Sequence, residues 1–274
     1  MKIGLSSCGK DLKRELFAQY RAAGIDAIEI CTSYDKYDSL NYEDIKNFAD
    51  EYGIELWSYH LPFSPFSRLE PSVKELAEST VSYFAELIRL GAGIGIKRFV
   101  VHPSGEPIAE ADREARMECS MESMYRLAGI AREFGATVAV ENLPRTCLGR
   151  NSDEMLRLAS VHPDLRICFD TNHLLSEDPV KFIERVGDKI ITTHVSDYDL
   201  VDERHWLPGE GKTDWAALYS ALSHVGYDGA WLYELRFDTP QNMPRVRPLF
   251  CRDFYDNAMS IFAGEKPKIV PIKG

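Results

Sequence analysis

At 274 residues, with 45% hydrophobic and 27% charged residues, the chain has ample apolar material for a core and the length of one large domain or two ordinary ones. A formal net charge of -11 repels a phosphate backbone, and no Lys/Arg run offers a patch to override that field, so nucleic acid is disfavoured as a partner. No stretch approaches the length of a transmembrane helix, and the N-terminal MKIGLSSCGK lacks the apolar core of a signal peptide, so a membrane is not expected either.

Eight short, mostly apolar runs follow one another along the chain: 2–7, 26–30, 54–60, 97–102, 137–142, 166–170, 189–195 and 230–235. Flanked by Gly, Pro, Asn or Asp, they read as buried parallel strands rather than half-solvated antiparallel ones. Helical patterns separate them. Leu12, Leu16, Tyr20 and Ala23 form one apolar stripe, with Gly24 as a C-cap. Val73, Leu76, Ala77, Thr80, Phe84, Leu87 and Ile88 form another. Helix stops are predicted at Gly53, Gly91, Gly135 and Gly226, and N-caps at Asn151-Ser152-Asp153 and Thr213-Asp214 for the fifth and seventh helices. Cysteines at 8, 31, 119, 147, 168 and 251 form no CxxC pair, which points to a reduced, cytoplasmic protein rather than a disulfide scaffold. Eight strand–helix alternations predict an α/β protein with a single (β/α)8 TIM barrel over residues 1–265, followed by an extended, loosely held tail over 266–274.

Six of the runs end in a metal-ligating side chain: WSYH at His60, FVVH at His102, VAVE at Glu141, ICFD at Asp170, ITTH at His194 and WLYE at Glu234. In a barrel these ends share one rim, the catalytic face. An open doubly wound sheet would instead concentrate its site near one switch point. Glu141, Asp170, His194 and Glu234 make a mixed carboxylate/imidazole set suited to a divalent metal such as Mn, Mg, Co or Zn. Such a metal can polarise a carbonyl and acidify the adjacent C–H, with a glutamate on each side of that carbon to move the proton. His173, in FDTNH, is either a further ligand or a donor to a substrate oxygen. His60 and His102 are either ligands of additional metals or substrate contacts. His162 and His224 lie at helix ends and read as caps or surface residues, and Trp57, Phe63 and Trp206 offer apolar faces either to a sugar ring or to barrel packing. The GEG stretch at 209–211 lacks nucleotide-binding spacing; it reads as the turn into the seventh helix, placing His205 over the barrel mouth.

VENLPRT (140–146), CFDTNHLL (168–175), THVSDYD (193–199), HWLPGEGKTDW (205–215) and YELRF (233–237), in this order, resemble the sugar phosphate isomerase/epimerase superfamily. These are the xylose isomerase-like TIM barrels that also include ketose 3-epimerases and endonuclease IV. The resemblance implies that Glu141, Asp170, His194 and Glu234 hold the metal, that Glu141 and Glu234 are also the acid/base pair, and that His173 contacts substrate. It implies a small-molecule carbohydrate as substrate, with dimers and tetramers common among similar proteins. Ketose epimerases carry an Arg six residues after the metal His, where this chain has Leu200. Glu203-Arg204-His205 resembles an Asp-Arg-His of the endonuclease IV zinc site, and His60 and His102 match that enzyme's early ligands. The expected activity is therefore a metal-dependent isomerase or epimerase of a sugar, sugar phosphate or polyol ketone, working through a metal-stabilised cis-enediolate. His60, His102, His173 and His205 would face substrate, or with Glu203 hold further metal. The alternatives are an inosose-type dehydratase and a multi-zinc phosphodiesterase.

Overall fold

Each of the eight apolar runs becomes a parallel strand with a helix after it. The structure is a computed structural model that describes residues 1–63 and 68–273. Its first half alternates β1 (Lys2–Ser6), α1 (Arg14–Ala23), β2 (Ala27–Ile30), α2 (Tyr42–Tyr52), β3 (Glu55–His60), α3 (Lys74–Gly93), β4 (Arg98–Val101) and α4 (Arg113–Glu133). Its second half continues β5 (Thr137–Glu141), α5 (Ser152–Ala159), β6 (Arg166–Asp170), α6 (Pro179–Val186), β7 (Ile190–His194), α7 (Trp215–His224), β8 (Ala230–Tyr233) and α8 (Cys251–Phe262). Consecutive strands pair in parallel from β1 to β7, and β1 also pairs with β8. The result is a single, nearly closed (β/α)8 barrel. Among the described residues no helix is long and apolar enough to cross a membrane.

The barrel closes between β7 and β8 with little regular ladder. Val195 N–H donates to Leu232 O (2.8 Å), Glu234 N–H donates to Val195 O (3.3 Å), and the Thr193 hydroxyl donates to Ala230 O (3.0 Å). Successive side chains on a strand point to opposite faces. The outward rows pack on the helices in one large apolar core, while the inward rows form separate small clusters, Ala27–Trp57–Ala230–Leu232 and Val100–Ala139–Cys168. Two residues beyond these inward positions stand Glu29, Glu234, His102, Glu141 and Asp170. The same alternation that fills the barrel with small and apolar side chains therefore carries the ligand-type residues to its rim.

Several sequence expectations are met in detail. Asn151 and Asp214 cap α5 and α7 by accepting from Glu154 N and Ala217 N. Gly24, Gly53, Gly135 and Gly226 fall at helix ends with positive φ. Gly91 is a correction: it lies inside α3, two residues short of the end. A Cβ there would stand 2.8 Å from the Phe99 ring and 3.3 Å from Tyr59, so this glycine lets α3 approach the sheet instead of stopping the helix. The tail is a second correction. Residues 266–273 are extended but held: Asn257 Nδ2 donates to Lys268 O (2.7 Å), Val246 N–H to Pro271 O (2.9 Å) and Lys273 N–H to Pro244 O (2.8 Å), and Val270 is buried.

The β7–α7 loop is organised by one carboxylate that the motifs did not single out. Buried Asp197 accepts from Tyr198 N, Gly209 N, Gly211 N, Thr213 N and the Trp215 indole N–H, at 2.8–3.2 Å. Gly211 is obligatory in this wrap, since a Cβ would lie 2.2 Å from Tyr198 O and 2.3 Å from Asp197 Oδ1. Glu210, the middle residue of GEG, forms a buried two-pronged ion pair with Arg245 (2.7 Å on each prong), clamping this loop to the one after β8. Replacing Asp197 with Ala strands these donors and should lower the unfolding free energy by about 3 kcal/mol, read from chemical denaturation against wild type.

Candidate metal centre

The inward strand ends converge on a cluster of carboxylates and imidazoles. The donor atoms of Glu141, Asp170, His194 and Glu234 lie within 4.8 Å of one another, and so do those of His60, Glu141 and His194. His194, at the end of β7, is the centre of the first set. Its Nδ1 is 3.1 Å from Glu234 Oε2, 3.2 Å from Glu141 Oε1 and 3.9 Å from Asp170 Oδ2. Glu141, at the end of β5 and fully buried, is shared by the most partners. Its Oε2 lies 3.1 Å from His60 Nε2 and 3.3 Å from His102 Nε2, and its Oε1 lies 3.4 Å from His173 Nδ1.

A third group sits above the rim. Glu203 Oε1 is 3.0 Å from His205 Nε2 and 3.4 Å from His173 Nε2, and these three residues also bring donors within 4.8 Å of one another. Glu203 and His205 belong to the loop wrapped on Asp197, and His205 is held at φ 51° with its ring against Glu234 O (3.2 Å) and Ser196 Oγ (3.5 Å). Arg145 pairs with Glu203 (2.8 Å), Glu106 and Asp202 (2.9 Å), tying the β4, β5 and β7 loops together. All nine side chains singled out from the sequence thus gather at one end of the barrel.

The aromatic side chains divide. The Phe63 ring is 4.2 Å from His102 and 4.9 Å from His60 and is 45% exposed, so it faces the site. Trp57 belongs to the barrel interior, its indole donating to Thr192 Oγ1 (3.0 Å) under the Arg98 guanidinium, and Trp206 is buried in the β7–α7 loop. Packing accounts for both. His162 accepts from Asp164 N (3.1 Å) in the turn that follows α5. Leu200 is 49% exposed at φ 63° and presents no polar group.

Sequence reasoning passed over Glu29, in β2. It is fully buried, accepts from the Ser58 hydroxyl (2.8 Å), and places Oε2 at 3.0 Å from His194 Nε2. The available signal was a lone carboxylate inside the apolar run AIEI; because Ile30 continues the strand, Glu29 does not end its run.

Burial raises a carboxyl's pKa, and two of the rim carboxylates resist it. Burial opposes, but the positive charges of His194 and His102 hold Glu141 well below the usual carboxylate range. Against the same burial, His194 brings Glu234 down to about 2. Asp170 goes the other way: burial, reinforced by the charges of Glu141 and Glu234, pushes it up to about 6 although His173 opposes. His173 is lowered by burial yet raised well above its ordinary value by Asp170, Glu141 and Glu203.

These residues fit a divalent cation. Asp170 Oδ2 is buried without a hydrogen-bond partner, one of few such atoms among the described residues, and it faces the donor set. Carboxylate and imidazole donors at this spacing suit the divalent first-row metals and Mg²⁺, without discriminating sharply among them. A cleft of about 510 Å³ opens beside His102, His173 and Glu203, a size that takes a small molecule.

The family profile described as Xylose isomerase-like TIM barrel matches residues 17–248. The D-psicose 3-epimerase of Ruminiclostridium cellulolyticum is 22% identical over 227 residues, 77% of this chain and 74% of that protein. The inosose dehydratase of Lacticaseibacillus casei is 26% identical over 158 residues, covering 50% of this chain and 53% of that protein. The crystal structure of a D-tagatose 3-epimerase-like protein superimposes with a TM-score of 0.76 at 24% identity, covering 85% of this chain and 90% of that one.

If the cluster binds a divalent cation, protein stripped with a chelator should melt lower than the same protein given Mn²⁺ or Zn²⁺. Saturation at a hundred times Kd adds about 2.7 kcal/mol of stability. Scanning calorimetry would read the difference, and identical melts with and without cation would rule the site out. His194, the imidazole of the core set, must release a proton to coordinate, and it holds that proton well above the ordinary range, so cation affinity should weaken as pH falls from 8 to 6.

Proposed function

The chain belongs to the xylose isomerase-like TIM barrel family, and on that premise we propose that it is a divalent-metal-dependent isomerase or epimerase of a sugar or related polyol ketone. One observation carries the reading. Glu141, ending β5, and Glu234, just after β8, both converge on His194 Nδ1, with Asp170 Oδ2 beside them. Glu141, Asp170, His194 and Glu234 would hold the cation, which when bound supplies electrophilic polarisation of a substrate carbonyl.

The remaining chemistry falls to the chain's own side chains. Glu141 and Glu234 are both held ionised against burial, the state a proton acceptor requires. One takes the proton from the carbon beside the carbonyl, and the other returns one to the opposite face of that carbon or to its neighbour. His173 sits between Glu141 and Glu203, where it can present its Nε2 edge to a substrate oxygen. His102 and Phe63 form one wall of the approach. With Leu200 where ketose epimerases carry an arginine, the far hydroxyls of the substrate are not gripped from that position, and specificity is set elsewhere in the cleft. The similarity to an inosose dehydratase supports the nearest variant, in which the same proton abstraction is followed by loss of a hydroxyl as water.

A second reading has an observation of its own. His60 and His102 on Glu141, and His173 and His205 on Glu203, extend the core into an arrangement able to hold additional cations, as a multi-zinc phosphodiesterase would require. The net charge of -11 argues against a nucleic-acid substrate. Elemental analysis of protein purified without chelator separates the readings: one exchangeable ion per chain supports the isomerase, two or three zinc ions the alternative.

Glu234→Gln keeps the shape of the site and removes one base. It should lower turnover by about 10²–10⁴-fold while the circular dichroism spectrum is unchanged. Turnover at near wild-type rate would sink the assignment. NMR of the product in D₂O distinguishes isomerisation, which keeps every oxygen of the substrate and introduces deuterium at one carbon, from dehydration, which loses one oxygen as water.

A further inference from the structure

A carboxylate inside a barrel is costly unless something compensates it. Glu29 is fully buried in β2, and its compensation is specific. Oε2 accepts from the Ser58 hydroxyl (2.8 Å) and lies 3.0 Å from His194 Nε2, while Oε1 has no partner. The His194 ring therefore stands between two carboxylate environments. Nε2 faces Glu29 on the interior side, and Nδ1 faces Glu234 and Glu141 at the rim.

A neutral imidazole carries one proton, and an ionised carboxylate can only accept. If Nε2 holds the proton and donates it to Glu29, the Nδ1 lone pair is left pointing at Glu141, Glu234 and Asp170. If Nδ1 held it, Nε2 and Glu29 would confront each other lone pair to lone pair at 3.0 Å, whereas the opposite confrontation, of a bare Nδ1 with Glu234 (3.1 Å) and Glu141 (3.2 Å), would be relieved by a cation held there. Metal-ligating histidines commonly pass their second N–H to a carboxylate, which fixes tautomer and ring orientation.

We propose that Glu29 is a positioning residue that holds His194 as the Nε2–H tautomer, with Nδ1 turned toward the rim as a ready ligand. Ser58 holds Glu29 in turn, and Ser58 precedes His60 by two residues on β3, so the anchor of one imidazole is built into the strand that delivers another. The inference rests on the cation-site reading, because without a cation Glu234 and Glu141 would draw the proton to Nδ1.

The test uses the whole chain labelled with ¹⁵N-histidine, with wild type, Glu29→Gln and Glu29→Ala compared. In wild type loaded with Zn²⁺, the His194 nitrogens should report a proton on Nε2 and none on Nδ1. A proton on Nδ1, or none on Nε2, would overturn the proposal. Mn²⁺ titration calorimetry supplies the second readout. Glu29→Ala should bind about 10–100-fold more weakly, while Glu29→Gln, whose amide oxygen still accepts the Nε2 proton, should lose much less. Alanine and wild-type affinities within threefold, or glutamine as weak as alanine, would also overturn it. Should Glu29→Ala fail to fold, the wild-type tautomer and the glutamine variant decide. Absence of Mn²⁺ binding in wild type would defeat the cation reading and this proposal with it, whereas binding that ignores Glu29 defeats the proposal alone.

Discussion

The structure turns on the crowding of negative charge at one end of the barrel. Glu29, Glu141, Asp170, Glu203 and Glu234 stand at that end, interleaved with His60, His102, His173, His194 and His205. In water these side chains would disperse. Here the strands fix their roots, and burial raises the energy of every charge left without a counter-charge. The imidazoles compensate in part, and the upward push on Asp170, with its unsatisfied oxygen, marks where compensation runs out. A divalent cation would complete that balance. The rest of the architecture, from the Asp197 wrap to the Arg145 network, serves to keep those roots in place.

Most of this was legible in the sequence because two periodicities coincide. Strands bury alternate residues inward, and a parallel barrel aligns their C-terminal ends. A ligand-type residue closing an apolar run therefore predicts both a strand end and a rim position. That logic located His60, His102, Glu141, Asp170, His194 and Glu234, and all eight strands. It missed Glu29 because the run AIEI continues one residue beyond it, so the carboxylate looked like an interruption. It misjudged Gly91 because a glycine needed for close packing against Phe99 is indistinguishable, in sequence, from one that ends a helix. The role of Asp197 was also illegible, since its donors are backbone groups drawn from a long stretch of loop.

The chain stands among sugar epimerases and an inosose dehydratase by sequence, and among epimerase-like barrels by fold. What these share is a barrel, and fold alone does not choose among reactions. Above the rim this chain carries the exposed Leu200, Phe63 stacked on His102, and the Glu203–His205 pair.

The two layers of the site have different origins. Glu141, Asp170, His194 and Glu234 rise from sheet positions that the barrel cannot move without unfolding. Glu203 and His205 ride on one loop, latched by Asp197 at one side and by Glu210 on Arg245 at the other. Evolution can therefore lengthen, shorten or re-letter that loop while the four-residue floor persists. One scaffold can in this way gain or shed outer ligands, and with them a reaction class, without renegotiating its core.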